Sequence, residues 1–465
     1  MSHSGSVATL SSLSLYITLF FGLSSLSLAD KLPLTVISNA AAEVDYIIEE
    51  ANRKKKIEPN AITDDATFLR RAYLNIIGRI ATLEETRSFL DDASEYKRAA
   101  LIDQLVYSPG FSSHLYNFYA NLLRINSGQD QFGLGWQIWL RESVKQNKAY
   151  DKIVHEMLSA SGHSSQNPAV GYYLRDRGML LDNISNTSKV FLGTQIGCAQ
   201  CHDDPFEDWT QKQYYELAAF GSEITYNSNI VREKIKEVVQ YKYPNASTER
   251  LSGKKRKKKP HSSTQKLFRE TYQDLNSLFK NFNKNSVSFK EGKELQLPDD
   301  YQYNDGKPKE VVSPHVLFGS LPTAKGNINR SRPHQLADWV TSVSNPMFSK
   351  VIANRLWKHA LGYGLVEPVD NWTDRSNIAH EEALDVLVQV LHSTDFDTRE
   401  MLRVIYQTKL FQRESCDFAI TDGRIHDFRG PLLRRMNAEE IHDSLVTLEK
   451  GNIDAEVNLN QIQKW

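Results

Sequence analysis

The chain has 465 residues, and its 56 basic and 57 acidic side chains leave a formal charge of −1 at pH 7. A charge this close to zero excludes a long-range field that would draw the whole molecule onto nucleic acid or an anionic membrane. The length, with 40% apolar residues, suits two or three domains with separate cores. Three cysteines are too few for a disulfide framework.

The first thirty residues differ from the rest of the chain. An uncharged, apolar run over residues 10–23, followed by Ser27-Leu28-Ala29, predicts a signal peptide over residues 1–29. Only His3 carries potential positive charge before the run, so an uncleaved membrane anchor is the alternative, although the run is shorter than the ~20 residues of a spanning helix. We expect an exported protein of the periplasm or cell envelope, with no stable membrane span after cleavage.

Helical patterns dominate from about residue 62 to residue 220, with apolar residues three and four apart. We predict a helical domain over residues 40–222, whose aromatic side chains belong to its core. Capping boxes and apolar faces mark its helices. The capping boxes are Thr82 with Glu85 and Thr210 with Gln213; the apolar faces are Ile102, Leu105 and Val106, then Leu115, Phe118, Tyr119 and Leu122, then Trp136, Trp139 and Leu140.

Residues 223–312 are polar and charged, and the basic run 254–259 lies near their centre. Such a composition buries little apolar surface, and six adjacent positive charges repel one another. We predict an exposed, partly disordered insertion. A polyanion site is the alternative, but the run lacks the interleaved aromatic residues on which nucleobases stack, so we expect no nucleic-acid partner.

Helical patterns return near Val316 and predict a second helical domain over residues 313–465. Its first helices have apolar residues at helical spacing, and glycines end the second of them. These residues are Leu336, Trp339 and Val340, then Ile352, Leu356 and Ala360, then Gly362 and Gly364. Further helices are expected over residues 381–391 and 401–410. The predicted fold class is mostly α, with two helical domains separated by the insertion.

The strongest chemical signal is the pentapeptide Cys198-Ala199-Gln200-Cys201-His202. With three Cys and 13 His in the chain, chance places this pattern in roughly three chains in ten thousand. Covalent haem attachment needs two thiols on one turn of backbone, followed by a His that serves as an axial iron ligand. Cys198, Cys201 and His202 meet these demands, so we predict a haem c with His202 as the proximal ligand.

Other interpretations of the cysteine pair stay open. Zinc or another divalent metal would use His202 with nearby carboxylates, although a structural zinc site needs four ligands and the third cysteine is the isolated Cys416. A disulfide or a plain thiol pair is the other alternative, without the strand-then-helix context of a thioredoxin-like site.

A sixth iron ligand would distinguish electron transfer from ligand-binding chemistry, and the sequence does not name it. Met179 and His163 are the nearest upstream candidates, with Met157 and His155 behind them. We expect each to be an ordinary core Met or surface His, because a distal ligand can come from anywhere in a fold.

Four acidic residues follow the motif: Asp203, Asp204, Glu207 and Asp208. They precede the helix that Thr210 opens, where the helix dipole favours negative charge. We expect them to cap that helix; a more basic His202 or a bound cation are the alternatives.

The chain contains no nucleophile elbow, P-loop, H-E-x-x-H sequence or dinucleotide fingerprint. Hydrolase and nucleotide-dependent functions therefore have no motif here, and the sequence does not decide whether the protein is an enzyme.

Long motifs around the pentapeptide resemble a known family. Residues 68–75, Gly78-Arg79, residues 193–202 and Pro205-Phe206 with Trp209 resemble the planctomycete cytochrome-like domain DUF1549 (PSCyt2). The distal half resembles the DUF1553 domain (PSD1) that usually follows it. Its matching residues are Asn345-Pro346, Asn354-Arg355-Leu356-Trp357 and residues 364–370.

The resemblance implies an exported protein with redox work in the periplasm, since some family members carry additional cytochrome c domains. The family commonly has a second His two residues after the motif's His, whereas this chain has Asp204. The DUF1553 domain normally runs further than Trp465, so we expect this chain to be a fragment.

We therefore expect an exported c-type haem protein that passes electrons to periplasmic redox or protein partners. The second domain would act as a docking or substrate-recognition module, with Asn354, Arg355 and Trp357 as its most distinctive group; packing against a neighbouring domain explains them equally well. Two alternatives stay open. One is a non-redox binding or scaffold protein for polysaccharide or a protein partner, with a Cys198–Cys201 disulfide. The other is a metal-dependent enzyme that uses His202 and nearby carboxylates.

Overall fold

The computed structural model describes residues 31–125, 130–226, 230–244, 263–278, 285–322, 330–373, 376–417 and 426–454. The predicted signal peptide and the basic run 254–259 lie outside these ranges. Over the described residues the chain forms 18 α-helices and seven short β-strands, which confirms the mostly α fold class. Within the same ranges, no helix combines the length and the apolarity that a membrane crossing requires.

The helices are numbered here in chain order. They are α1 (Leu34–Lys54), α2 (Asp65–Ala72), α3 (Leu83–Asp91), α4 (Lys97–Val106), α5 (Pro109–Leu122), α6 (Asp130–Lys145), α7 (Tyr150–Leu158), α8 (Gly171–Arg175), α9 (Leu180–Leu192), α10 (Gln211–Ala218), α11 (Ile230–Lys242), α12 (Ser263–Leu278), α13 (Arg332–Val340), α14 (Pro346–Leu361), α15 (Glu381–Ser393), α16 (Thr398–Gln407), α17 (Lys409–Gln412) and α18 (Ala438–Lys450). Single turns of π-helix (Tyr73–Ile77) and 3₁₀-helix (Pro168–Val170, Gly197–Gln200, Ala219–Gly221) lie between them.

The strands are short and pair only in antiparallel fashion. They are β1 (Gly162–His163), β2 (Ile224–Tyr226), β3 (Ser286–Phe289), β4 (Leu295–Gln296), β5 (Val311–Val312), β6 (Val366–Glu367) and β7 (Asn377–Ile378). One sheet has the order β1-β3-β2, and β4-β5 and β6-β7 form two-stranded pairs. In the larger sheet Val287 of β3 lies opposite Gly162 of β1 and Tyr226 of β2.

The chain forms two compact units, each assembled from separate pieces of sequence. Unit 1 takes its described residues from Met1–Leu115, Val144–Asp151 and Pro346–Trp465, and unit 2 from Tyr116–Ser143 and Lys152–Asn345. Each predicted helical domain was one continuous stretch of sequence. Each compact unit, in contrast, combines segments that are distant in sequence.

The core of unit 1 forms around helices from both ends of the chain. In α1, apolar residues recur three and four apart and are buried: Ile37, Ala40, Ala41, Val44 and Ile48. This spacing puts them on one face, and α1 packs on α15 and α16. Helix α14 also packs on α15 and α16, and α4 packs on α16. The first helix of the described chain is therefore part of the same core as the helices beyond residue 346.

A fully buried arginine lies within this core. Arg403, 0% exposed, bonds Asp103 through its Nε at 2.6 Å and Glu400 through an Nη at 3.1 Å. It also donates to the carbonyl of Leu32 at 2.7 Å. A buried charge is tolerated only when it is paired and hydrogen-bonded, so Asp103 is a structural requirement of α16.

The group Asn354, Arg355 and Trp357 lies on α14 within unit 1. The buried amide of Asn354 donates to the carbonyl of Val366 at 2.7 Å and accepts from its N–H at 3.1 Å. It thereby satisfies both backbone groups of a β6 residue. Trp357 is fully buried and packs edge-on against Phe428. Asn354 and Trp357 therefore stabilise the packing within unit 1.

Local sequence signals for helix ends appear in the structure. Both predicted capping boxes are present, at Thr82 and at Thr210, and Gly362 with φ +87° follows the end of α14. The helix expected over residues 401–410 is instead two helices. Thr408 ends α16 and its hydroxyl accepts from the N–H of Phe411 at 3.1 Å, so it caps α17.

The described residues of the insertion contain regular structure. Ile235 and Val239 of α11 pack with Phe268 and Tyr272 of α12, and all four are buried. In each helix the two residues are four apart and share a face. A few apolar residues at helical spacing therefore suffice to pair two otherwise charged helices.

Candidate functional site

The cysteine motif lies in unit 2, at the end of a single turn of 3₁₀-helix (Gly197–Gln200) that Cys201 caps. The turn follows α9, whose last residue is followed by Gly193 with φ +60°. The N–H of Cys201 donates to the carbonyl of Cys198 at 3.3 Å. Residues three apart in a 3₁₀-turn are eclipsed, so Cys198 and Cys201 share one face. Both are exposed and carry free thiols, which leaves them accessible to a reagent.

The imidazole of His202 is exposed and held in a defined way. Its Nδ1 lies 2.7 Å from the carbonyl oxygen of Asp203. A carbonyl only accepts, so Nδ1 carries the hydrogen of this bond and the Nε2 of a neutral ring keeps its lone pair. Within the described part of the chain Nε2 has no hydrogen-bond partner. In its neutral form, His202 therefore presents the Nε2 lone pair to solvent.

Asp203 is fixed by two further hydrogen bonds. Its N–H donates to the phenol oxygen of Tyr303 at 2.7 Å, and its Oδ1 accepts from the N–H of Gln211 at 2.7 Å. Gln211 is the first residue of α10, where negative charge is favoured by the helix dipole. The expected capping role of the acidic cluster is thus confirmed for Asp203.

Asp204 has a different task. Its Oδ1 accepts from the N–H of Phe206 at 2.9 Å and of Glu207 at 3.2 Å, while its own N–H donates to the carbonyl of Trp209 at 2.8 Å. These bonds close the loop after the motif. Phe206 in this loop is 70% exposed and provides apolar surface beside the motif.

Buried tyrosines of α10 lie beneath the motif. The Tyr214 hydroxyl donates to the carbonyl of Leu181 at 2.7 Å and lies 3.4 Å from Oε1 of Gln200. Burial raises the pKa values of Tyr214 and Tyr215, and the nearby Cys201 acts in the same direction. Both tyrosines are therefore protonated around neutral pH; Tyr214 acts as a hydrogen-bond donor, and Tyr215 packs edge-on against its ring.

The candidate distal ligands differ in their surroundings. Met179 directly precedes α9 and is 52% exposed. The hydrogen bond from Tyr214 to Leu181 brings this end of α9 near the motif. His163 belongs to β1, where it lies opposite Ser286 and its Nδ1 bonds the hydroxyl of Ser165 at 2.8 Å.

The candidates further upstream have other contacts. Met157 is buried in the core, and Nε2 of His155 lies 2.9 Å from Oδ1 of Asp338.

The donor types of the motif are those that a covalently attached haem requires. Two accessible thiols share a face, and the next residue offers a lone pair at Nε2. Across the described ranges, no group of three or more His, Cys, Asp or Glu side chains is arranged to hold a metal ion. Cys416 belongs to unit 1, where its sulfur accepts from the amide of Asn60 at 3.4 Å.

Two clefts lie in unit 1. One of about 270 Å³ is lined by Arg79, Glu85 and Asp454 among others. The second, of about 280 Å³, is lined by Cys416 and His426 among others. Residues of the motif line neither of these two clefts.

Two models of known protein families match the chain. A family model described as a protein of unknown function (DUF1549, PSCyt2) matches residues 43–226. A second, described as a protein of unknown function (DUF1553, PSD1), matches residues 332–462. The chain contains a DUF1549 domain followed by a DUF1553 domain. No curated protein and no solved structure matches it.

The DUF1549 match of this DUF1549–DUF1553 chain includes the whole motif and Asp203. Tyr303 lies outside both matched ranges, in the polar insertion. Sequence reasoning missed Tyr303, because no motif or spacing relates a tyrosine 100 residues away to Asp203. The bond from Gln211 to Asp203, in contrast, is the expected capping contact, because the Thr210 capping box located the start of that helix.

Proposed function

We propose that the DUF1549–DUF1553 chain is an exported c-type haem protein that carries electrons between partners in the periplasm. Cys198 and Cys201 are its thioether anchors and His202 is its proximal iron ligand. The observation that supports this most is the joint geometry of one turn: two accessible thiols on one face, followed by an imidazole with its Nε2 lone pair exposed.

Each side chain has a definite task in this proposal. The thiols of Cys198 and Cys201 would hold the haem through two thioether bonds, each formed by addition of one S–H across its own vinyl group, with sulfur on one carbon and hydrogen on the other. His202 would offer its Nε2 lone pair to the iron, while Asp203 accepts its Nδ1–H and raises the basicity of the ligand. When bound, haem supplies a one-electron redox centre. The surface position of the motif suits electron transfer to a docked partner.

The test is a spectrum and a haem stain after expression in a host with cytochrome c maturation. We expect an intense Soret band and a stain that survives denaturing electrophoresis. Both signals should be lost in Cys198→Ala/Cys201→Ala. Cys416→Ala is the matched control, because it removes a thiol from unit 1 and should keep both signals.

A colourless, folded wild-type protein would contradict the proposal. Metal analysis and thiol titration of that protein then separate the alternatives. A stoichiometric divalent metal would support a metal-dependent enzyme, and a metal-free protein with a Cys198–Cys201 disulfide would support a binding or scaffold protein.

A further inference from the structure

Among the described hydrogen bonds of His202 and Asp203, one partner comes from the insertion, and that partner is Tyr303. Its phenol oxygen accepts from the N–H of Asp203 at 2.7 Å. Tyr303 is half-buried. The bond is therefore partly shielded from competing water.

Asp203 connects Tyr303 to the imidazole. The N–H of Asp203 bonds Tyr303, its carboxylate bonds Gln211 at the start of α10, and its carbonyl accepts from Nδ1 of His202. The peptide unit of Asp203 is thus restrained on both sides of its Cα. Restraining the residue fixes the direction of its carbonyl, and the carbonyl decides which ring nitrogen carries the hydrogen.

Tyr303 is itself held in place within unit 2. Its ring contacts that of Tyr301 edge-on, with centroids 5.5 Å apart. The Tyr301 hydroxyl donates to Oδ1 of Asp305 at 2.5 Å, and Lys212 of α10 donates to the carbonyl of Asp305. The segment that carries Tyr303 is therefore attached to the same helix that binds the Asp203 carboxylate.

We propose that Tyr303 is a positioning residue for His202. Through Asp203 it holds the imidazole in the Nδ1–H tautomer and keeps the Nε2 lone pair available as a ligand. The ligand role itself rests on the proposed function, whereas the tautomer is a property of the haem-free chain. A histidine side chain in water favours the Nε2–H tautomer, so the Nδ1–H form is a specific signature of this contact.

The test uses haem-free, full-length protein with ¹⁵N-labelled histidines at pH 8.5. Two-bond ¹H–¹⁵N correlation spectra report the tautomer of each ring, and comparison with His202→Asn assigns His202. We expect Nδ1–H in the wild type and a shift toward Nε2–H in Tyr303→Phe. The phenylalanine retains the ring contact with Tyr301, and circular dichroism checks the fold.

Tyr241→Phe is the matched control, because it also removes a phenol hydroxyl from the insertion, from a side chain that is 92% exposed. Its His202 signal should match the wild type. An unchanged tautomer in Tyr303→Phe, or an equal change in both variants, would overturn the inference.

Haem staining of the same variants separates the two proposals. If the wild type shows the Nδ1–H form and Tyr303→Phe loses it while no variant binds haem, the positioning role stands and the haem function fails. If haem attaches to the wild type and the His202 tautomer is the same in Tyr303→Phe, the function stands and the positioning role fails.

Discussion

The buried side chain of His114 explains why position 78, in the Gly78-Arg79 motif, is a glycine. It is 5% exposed, and its ring centroid lies 5.1 Å from that of His359. A Cβ at Gly78 would approach Nδ1 of His114 to 2.5 Å, and Gly78 has φ +77°. Two independent reasons thus require glycine at position 78: the lack of space for a Cβ and the positive φ of the backbone.

The next residue, Arg79, is explained by charge. It is 1% exposed and pairs with Glu85 at 2.9 Å and with Asp454 at 2.6 Å. These partners raise the pKa of the Arg79 guanidinium despite its burial. The Gly78-Arg79 pair of the DUF1549 motif is therefore structural.

Burial makes His114 a source of acid sensitivity in unit 1. Burial lowers the pKa of His114 to about 4, with Glu440 opposing the shift and Arg434 adding to it. Below pH 6.5 the unfolded chain takes up a proton that the folded chain does not, so stability falls as pH falls toward 4. From pH 7.5 to pH 5 we expect a loss of about 2 kcal/mol from this group.

Urea denaturation at the two pH values measures this loss, and His114→Phe should reduce the difference by about that 2 kcal/mol. His442→Gln is the control, since that histidine is exposed. An equal pH dependence in the wild type and His114→Phe would refute the assignment.

At the scale of elements, the two capping boxes offer a matched comparison. In each, a threonine hydroxyl accepts from the N3 amide at 3.2 Å and the N3 side chain bonds the threonine N–H. Thr82 opens α3, and Thr210 opens α10 beside the motif. The local contacts are the same and the surroundings differ.

Thr82→Ala and Thr210→Ala should each lower the free energy of unfolding by about 1 kcal/mol, the usual cost of a lost N-cap. Chemical denaturation measures both. Only Thr210→Ala should also change the NMR signal of His202, because its helix binds Asp203. A change in that signal in Thr82→Ala would show that the coupling is not local.

Helix α18 departs from the usual arrangement of an amphipathic helix. Its apolar residues Ile441 and Leu445 are exposed, while Glu440, Ser444 and Thr447 are buried. Glu440 pairs with the exposed Arg434 at 2.7 Å, so the carboxylate that this helix buries has a charged partner. Periodicity alone would have placed the apolar face inside.

At the scale of the whole molecule, the family matches and the compact units divide the chain differently. The DUF1553 match begins at residue 332, yet its helices α15 and α16 bury apolar faces against α1, near the start of the described chain. Arg403 of α16 depends on Asp103 of α4 for its charge balance. The second family range is therefore not a self-sufficient folding unit.

A fragment of residues 330–465 should show no cooperative unfolding transition by circular dichroism, because α15, α16 and Arg403 lose their partners. Adding residues 31–115 in trans should increase its helical signal beyond the sum of the parts. In the full chain, Asp103→Ala should cost roughly 3–5 kcal/mol, since it leaves a buried charge without its main partner. A cooperative transition in the fragment alone would contradict this account.

The sequence by itself determined the helical class, the capping boxes at Thr82 and Thr210, the cysteine motif and the family. These features depend on residues within one or two helical turns, where spacing and side-chain chemistry act locally. Only the tertiary structure decided that α1 joins the core beyond residue 346, that α18 turns its polar face inward and that Tyr303 reaches Asp203. The contacts of α1 and of Tyr303 join residues a hundred or more positions apart, and the orientation of α18 depends on which of its side chains find partners when the core forms.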